Sequence, residues 1–200
     1  MATTSGQHAQ GITRPAETPN RKLPLAIRLG RGVFFGFAIF LLCLVTAYVF
    51  GYRVNLTASY PLGIYQLDTK AVASKGELVL FCPPETAAIR TAVDRGYIDF
   101  GTCAGGYQPL MKKVAAEAGD TVSMDGFVRI NGYDWPSGKI PSKDSAGRPM
   151  TKWTGGTIDK GAVLTLSDYE PYSFDGRYFG PVSISTIQGV MRPVWTWEQH

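Results

Sequence analysis

Histidine is almost missing from this chain of 200 residues. The sequence contains two histidines, His8 in a polar N-terminal tail and His200 at the last position. A Ser-His-Asp or Cys-His active site needs an imidazole beside its nucleophile, so neither is expected here. A zinc site built on histidine is not expected either, and three scattered cysteines do not replace the missing ligands. We therefore expect no metal and no cofactor, and any acid–base chemistry falls to Lys, Asp, Glu or Tyr.

Charged residues are also scarce, at 18% of the chain, compared with about 25% in an average soluble domain. The net charge of +4 comes from residues 1–31, which hold five basic side chains and one acidic side chain. Residues 53–200 hold fifteen of each sign. The main domain therefore has no basic excess, which argues against nucleic acid as a partner.

A long apolar run follows the basic tail. The tail, residues 1–31, begins with a stretch rich in Thr, Ser, Gly and Pro, which predicts disorder. Residues 32–52 carry no charge, and as a helix rising ~1.5 Å per residue they would be roughly 31 Å long, which matches the hydrocarbon core of a bilayer. The run is longer than the ~7–15-residue core of a signal peptide, which argues against a cleaved signal peptide. It is also apolar on all sides, which argues against a buried helix of a soluble protein. We predict a retained transmembrane anchor, with the tail in the cytoplasm and the rest of the chain exported.

The exported part, residues 53–200, is predicted to be mostly β. The pairs Asp-Gly at 125–126 and Asn-Gly at 131–132 are strong hairpin signals. One short helix is indicated at residues 85–95. Residues 133–160 are rich in Gly, Pro, Ser and Lys and predict a long loop, which is either functional or a solvated insertion. The strands are predicted at residues 76–81, 109–116, 120–124, 127–130, 161–166 and 188–195.

Two cysteines, Cys82 and Cys103, lie in the predicted exported part, where disulfides persist. We predict that they form a disulfide because no third exported cysteine competes; the alternative is a pair of free small residues. Closing their loop of roughly 22 residues would contribute about 3 kcal/mol in the chain-entropy model. Cys43 lies inside the apolar run and is interpreted as a small hydrophobic residue.

Two segments together indicate nucleophilic chemistry without histidine. Ser59 stands seven residues after the apolar run, and alone it is an ordinary loop serine. Lys112 and Lys113 lie side by side in an apolar, strand-like run, so strand alternation points one of them inward. Burial lowers the pKa of a lysine and lets it accept a proton from a serine hydroxyl. The alternative for the two lysines is an exposed pair at a strand edge.

Three motifs in sequence order resemble those of the type I signal peptidases of the Ser-Lys class, and specifically the conjugative-transfer (TraF-type) branch. They are residues 59–65 (SYPLGIY), 112–120 (KKVAAEAGD) and 173–180 (SFDGRYFG). The resemblance covers roughly residues 30–195. It implies a signal-peptidase-like antiparallel β domain behind one N-terminal transmembrane helix.

The resemblance implies a role for each matching residue. Ser59 matches the nucleophile, and Lys112 matches the general base, which leaves Lys113 as its outward neighbour. Ser173 matches the hydroxyl that hydrogen-bonds and orients the lysine amine. Thr57 matches a hydroxyl of the oxyanion hole, in which the backbone N–H of Ser59 is the second donor.

The third motif also contains an acid and a base. Asp175 matches an acid that pairs with the arginine, here Arg177, in a structural ion pair, and in the TraF-type branch it has also been given a catalytic role. Both roles stay open. Gly176 stands where the family has a serine, and residues 166–168 (LSD) stand near the place of a Gly-Asp-Asn element. These departures favour a specialised branch over a housekeeping enzyme.

The implied activity is that of a serine endopeptidase anchored in the bacterial inner membrane, with its catalytic domain in the periplasm. Its partners would be the lipid bilayer, an exported precursor and other proteins of a conjugation system. The expected substrate is the pilin subunit of a conjugative transfer (type IV secretion) system, released by hydrolysis or by cyclisation. The alternatives are a general leader peptidase and a non-enzymatic anchored scaffold of a secretion complex.

Overall fold

The computed structural model describes residues 25–197 and begins with one long helix, α1 (Leu25–Val49). The chain divides into two compact units after Leu44, so the last residues of α1 belong to the second unit. Within α1, Leu29–Val49 has a mean hydropathy of 2.4 and no buried residues, which makes it long and apolar enough to cross a bilayer. Residues 1–24 of the predicted tail, including the stretch predicted to be disordered, lie outside the described residues.

Helix α1 begins and ends earlier than the predicted anchor, residues 32–52. It includes the last seven residues of the predicted tail, where Leu, Ala and Arg are good helix formers and Pro24 precedes the first helical residue. At its other end the helix stops at Val49 because Gly51 takes a φ of +86°, a left-handed conformation that ends helices. Tyr52 then starts the first strand.

The described part of the second unit contains eleven strands in two antiparallel sheets, so the prediction of a mostly β fold behind one N-terminal apolar helix is confirmed. The strands are β1 (Tyr52–Asn55), β2 (Leu62–Asp68), β3 (Leu78–Phe81), β4 (Leu110–Ala116), β5 (Thr121–Met124), β6 (Phe127–Ile130), β7 (Tyr133–Lys139), β8 (Gly156–Thr157), β9 (Ala162–Leu166), β10 (Val182–Ser183) and β11 (Ile187–Trp197). The larger sheet has the order β1-β2-β11-β3-β4-β9-β10, and the smaller has the order β7-β6-β5-β8. The helices α2 (Ala87–Asp94) and α3 (Gly176–Phe179) complete the unit, with a 3-10 turn at Ile184–Thr186.

The smaller sheet is built from the two predicted hairpins. Asn131 and Gly132 both have positive φ, at 53° and 85°, as a tight hairpin turn between β6 and β7 requires. Strand β7 occupies the start of the segment that the sequence predicts as a long loop. Its Pro136 weakens the strand signal, but β7 lies at the edge of the sheet, where a missing N–H costs no ladder hydrogen bond.

Three clusters of buried side chains lie against the sheets. The largest packs α2 on β3, β4 and β11, and its members include Phe81, Ile89 and Val190. A second lies between the smaller sheet and β9. The third is formed by Tyr60, Tyr65, Leu80, Met111 and Met191, and it lies next to the loop that holds Ser59. The Ser59 loop therefore rests on packed apolar side chains.

The predicted disulfide is confirmed, since Cys82 and Cys103 are joined by an S–S bond of 2.06 Å. Cys103 is buried in the largest cluster beside Tyr107, whose hydroxyl donates a 2.6 Å hydrogen bond to the carbonyl of Pro83. The disulfide therefore links the segment between α2 and β4 to the end of β3.

Candidate active site

Ser59 lies in the loop between β1 and β2, and the side chain of Asn55 holds both ends of that loop. Asn55 Nδ2 donates to the carbonyls of Thr57, Tyr60 and Pro61, each at 3.1 Å. Its Oδ1 accepts from Thr57, at 3.1 Å from the backbone N–H and 2.8 Å from the hydroxyl. The sequence analysis missed Asn55, although an Asn two residues before a Thr in a turn is a recognisable capping signal.

Gly63 and Tyr65 of the Ser59 motif have structural roles. Gly63 lets β2 approach β11, because a Cβ there would lie 2.3 Å from the carbonyl oxygen of Trp195. The hydroxyl of buried Tyr65 donates to the carbonyl of Pro61 at 2.8 Å. The spacing of Pro, Gly and Tyr in this motif therefore supports the backbone that carries Ser59.

A second set of contacts reaches the Ser59 loop from the turn after β9. The buried hydroxyl of Ser167 donates to the carbonyl of Ser59 at 2.9 Å and accepts from the N–H of Glu170 at 2.9 Å. The hydroxyl of Tyr60 donates to Asp168 Oδ1 at 2.9 Å. The sequence analysis noted Ser167 and Asp168 only as a departure from a family element, because contacts between residues 108 positions apart leave no local signal.

Lys112 is buried on β4, with 3% of its surface exposed. Burial lowers the pKa of its amine to about 8; the Asp175 carboxylate opposes this shift and the Arg177 guanidinium adds to it. Ser59 and Lys112 both line a cavity of about 430 Å³, here called the lysine cavity, together with Leu80, Met111 and Met191. Within residues 25–197 no hydrogen bond joins Lys112 Nζ to Ser59 Oγ, so the proton transfer between them stays a prediction.

The neighbouring lysine has a different environment. The side chain of Lys113 is 30% exposed and forms an ion pair with Asp168, whose side chain is 23% exposed. Alternation along β4 places the two lysines on opposite faces of the strand. Lys113 thus lies in a contact chain with Asp168 and Tyr60, whereas Lys112 lies inside the lysine cavity.

Ser173 contacts Ser59 directly. Its side chain is buried, and its hydroxyl donates to Ser59 Oγ at 3.3 Å. The family resemblance implies that this hydroxyl orients the lysine amine, and that role stays a prediction because the structure pairs it with the serine. In either case Ser173 belongs to the same site as Ser59.

Asp175 and Arg177 form a fully buried ion pair, with 0% of either side chain exposed and Arg177 Nη2 2.7 Å from Asp175 Oδ2. Asp175 accepts four hydrogen bonds: the N–H and Nε of Arg177 bind Oδ1, and Arg177 Nη2 and the N–H of Ser167 bind Oδ2. A carboxylate has about four lone-pair positions, so this group is saturated. Its contacts favour the structural role over a direct catalytic one.

Arg177 joins this pair to the smaller sheet. Its Nη1 donates to the carbonyls of Ser137 and Lys139 on β7, each at 2.9 Å, and of Pro171 at 2.7 Å. The departure at Gly176 also has a steric cause, because a Cβ there would lie 2.7 Å from Leu164 Cδ1. The buried pair therefore fixes the segment that carries Ser173.

The predicted oxyanion donors stay predictions. The hydroxyl of Thr57 donates to Asn55 Oδ1. The backbone N–H of Ser59 donates no hydrogen bond to any described residue. In the part of the chain that the structure describes, no three His, Cys, Asp or Glu side chains come together as metal ligands.

A second cavity, of about 720 Å³, also opens beside Ser59. Its lining contains Tyr97, Tyr172, Phe174 and Tyr178, and we call it the aromatic pocket. Ser59 therefore lines two cavities, which share Tyr97 and Phe174, and of the two only the lysine cavity contains Lys112.

Comparisons with known proteins identify a family and several relatives. The family model described as "Signal peptidase, peptidase S26" matches residues 28–197. A plasmid transfer protein TraF of Escherichia coli is 42% identical over 173 residues, 85% of this chain and 97% of that protein. A probable conjugal transfer protein TraF of Sinorhizobium fredii is 37% identical over 85% of this chain and 93% of that protein. A crystal structure of a signal peptidase I from Enterococcus faecalis is 21% identical over 60% of this chain and 97% of that chain, with a TM-score of 0.34.

Proposed function

The chain belongs to the peptidase S26 family of signal peptidases, and on this basis we propose that it is a membrane-anchored serine endopeptidase with a Ser59–Lys112 dyad. The observation that carries the proposal is a buried lysine of lowered pKa in the same cavity as a loop serine. With a pKa of about 8, roughly a tenth of Lys112 is uncharged at pH 7 and about half at pH 8, and the uncharged amine can act as a base.

The proposed reaction is acyl transfer. Neutral Lys112 takes the proton of the Ser59 hydroxyl, and Ser59 Oγ attacks the scissile carbonyl. The N–H of Ser59 stabilises the oxyanion, and the hydroxyl of Thr57 does so after it rotates away from Asn55 Oδ1, which keeps its bond from the Thr57 N–H. The peptide C–N bond then breaks, and the ammonium of Lys112 gives its proton to the leaving amine. Water or the amino terminus of the substrate attacks the remaining ester, which yields a free acid or a cyclic peptide.

The strands around the lysine cavity suit an extended peptide. Among the described strands, β1 is the edge of its sheet, and β9 pairs with β4 only from Lys113 onward. Residues of β1 and the start of β4 therefore border the cavity with unpaired strand edges. An extended chain can add to such edges through backbone hydrogen bonds. We propose that the acyl side of the substrate, which precedes the scissile bond, lies here.

We further propose that the substrate is the pilin subunit of a conjugative transfer system. The similarity to plasmid and conjugal transfer proteins over 85% of the chain supports this role. Helix α1 would anchor the enzyme in the inner membrane, with the catalytic domain in the periplasm. The disulfide between Cys82 and Cys103 supports an oxidising, exported location for that domain.

Mass spectrometry of a co-expressed pilin precursor tests this function. We expect a shortened product with the wild-type chain and the intact precursor with Ser59→Ala. A product mass lower by one water identifies cyclisation rather than hydrolysis. An unrelated secreted precursor is the control, and its equal cleavage would indicate a general leader peptidase instead. An intact pilin precursor with the wild-type chain would contradict the proposed substrate.

A further inference from the structure

The aromatic pocket adjoins the lysine cavity at Ser59. Both cavities are lined by Thr57, Ser59, Tyr97 and Phe174, whereas Lys112 lines only the lysine cavity of the two. A peptide whose carbonyl carbon is at Ser59 Oγ therefore has two adjoining cavities available, one for each part of the chain that the scissile bond joins. The acyl side is already assigned to the unpaired strand edges of the lysine cavity, which leaves the aromatic pocket for the leaving side.

One wall of the aromatic pocket is a set of packed rings. The ring centroids of Phe174 and Tyr178 are 5.5 Å apart, with the planes 2° from parallel, and those of Phe174 and Tyr97 are 5.6 Å apart. Phe174 directly follows Ser173, whose hydroxyl contacts the nucleophile. The wall is therefore adjacent in sequence to a residue that contacts Ser59.

Another part of the lining comes from residues 140–155 of the predicted long loop. Asp144 folds this segment on itself: Oδ1 accepts from the N–H of Ala146 at 2.9 Å and of Arg148 at 2.8 Å. Asp144 Oδ2 accepts the hydroxyl of Tyr97, which attaches the loop to the aromatic wall. Arg95 Nη1 also donates a 2.9 Å hydrogen bond to the carbonyl of Pro149. These contacts favour the functional reading of the loop over a solvated insertion.

We propose that the aromatic pocket binds the substrate segment that follows the scissile bond and selects an apolar or aromatic side chain there. The proposal rests on the proposed peptidase function. A volume of about 720 Å³ is that of a typical ligand pocket, and its aromatic lining suits an apolar side chain. Lys143, Asp144 and Glu170 at its lining supply charges of both signs, and Asp144 is already paired with Arg148, so a charged side chain gains no clear preference from them.

Synthetic peptides test the selectivity. Three fluorogenic peptides carry the same small residues before the scissile bond and differ in the residue after it, which is Gly, Leu or Phe. With the full chain in detergent micelles, we expect kcat/KM to be about tenfold higher for Leu and Phe than for Gly, the usual discrimination of an apolar pocket. Equal values for the three peptides would overturn the proposal.

A matched pair of loop variants locates the selectivity. Ser145 is exposed and lines the pocket, whereas Ser142 is exposed in the same loop and does not line it. Ser145→Trp should lower the ratio of kcat/KM for the Leu and Phe peptides over the Gly peptide to about one, because the added ring fills the pocket. Ser142→Trp should preserve the preference. If both variants behave alike, or if Ser145→Trp changes selection before the scissile bond, the assignment is wrong.

A binding measurement separates this inference from the peptidase proposal. The inactive variant Ser59→Ala is titrated against dye-labelled peptides that begin with Phe or Gly, which represent the leaving segment. We expect the Phe peptide to bind about tenfold more tightly by fluorescence anisotropy, and Ser145→Trp in the same background to remove the difference. If the Phe peptide binds more tightly but the wild-type chain cleaves no peptide, the peptidase proposal is refuted and the assignment of the pocket is retained. Equal binding of both peptides would refute the pocket.

Discussion

The two faces of strand β4 place adjacent lysines in opposite environments. Lys112 is 3% exposed and lies in the lysine cavity, whereas Lys113 is 30% exposed in its side chain and is ion-paired with Asp168. Burial lowers the pKa of Lys112 to about 8, with the positive charge of Arg177 adding to the effect and Asp175 opposing it. One step along β4 therefore separates the proposed proton acceptor from a lysine held in an ion pair.

Replacement of Lys112 should have the largest effect on activity. Lys112→Met keeps most of the side-chain volume but removes the base, so we expect Ser59-dependent cleavage to fall by more than about 10³-fold, within the range of general-base effects. The initial rate of cleavage of a peptide that the wild-type chain cleaves provides the measurement. Wild-type cleavage by the variant would show that the buried amine is not the base.

The buried ion pair beside Lys112 should dominate stability. Asp175→Asn removes one charge and leaves Arg177 buried without its anion, so we expect a loss of about 3–5 kcal/mol in the free energy of unfolding. Denaturant titration in detergent measures it. Asp168→Asn is the matched control, and we expect about 1 kcal/mol or less because that pair is partly exposed. Equal losses for the two variants would contradict the assigned difference between the pairs.

The lowered pKa of Lys112 should also appear in the pH dependence of stability. Between pH 8 and the ordinary lysine value of 10.5, the folded state binds fewer protons at Lys112 than the unfolded state does. Stability should therefore rise with pH across this window, by about 3 kcal/mol in total. The difference in unfolding free energy between the wild type and Lys112→Met isolates this contribution. A difference that does not vary with pH would mean that the pKa of Lys112 is not lowered.

Replacement of Lys113 should have the smallest effect. Its ion pair is partly exposed, so Lys113→Met should cost about 1 kcal/mol or less of stability. We expect cleavage to fall by less than about tenfold, since Tyr60 retains its hydrogen bond to Asp168. Parallel rate measurements on both lysine variants complete the comparison. A greater loss for Lys113→Met than for Lys112→Met would show that the two roles are reversed.

Local sequence patterns predicted a large part of the fold. The hairpin signals at Asp-Gly and Asn-Gly placed β5, β6 and their turns, and β6 has the predicted bounds of residues 127–130. Strands β1 and β2 were not predicted. β1 begins at Tyr52, the last residue of the apolar run, and β2 depends on pairing with β11, more than a hundred residues later in the chain. Such long-range pairing leaves no local periodicity to read.

Some residues of the candidate site could likewise be predicted from the sequence, and others could not. Motif order identified Ser59, Lys112 and Ser173, which the structure places around the lysine cavity and the adjoining Ser59 hydroxyl. Asn55 and Ser167 were missed because side-chain contacts to backbone carbonyls, and not a motif, connect them to the Ser59 loop. Sequence patterns thus indicate reacting groups more readily than the residues that position them.

The pH dependence of Ser59 acylation by a serine-reactive probe tests the central claim most directly. The rate constant is followed by mass spectrometry of the intact chain, with Ser59→Ala as the unlabelled control. A neutral Lys112 as the base predicts an acylation rate that rises with pH and levels off above an apparent pKa of about 8. A rate that keeps rising to the ordinary lysine value of 10.5, or that is the same in Lys112→Met, would contradict the account.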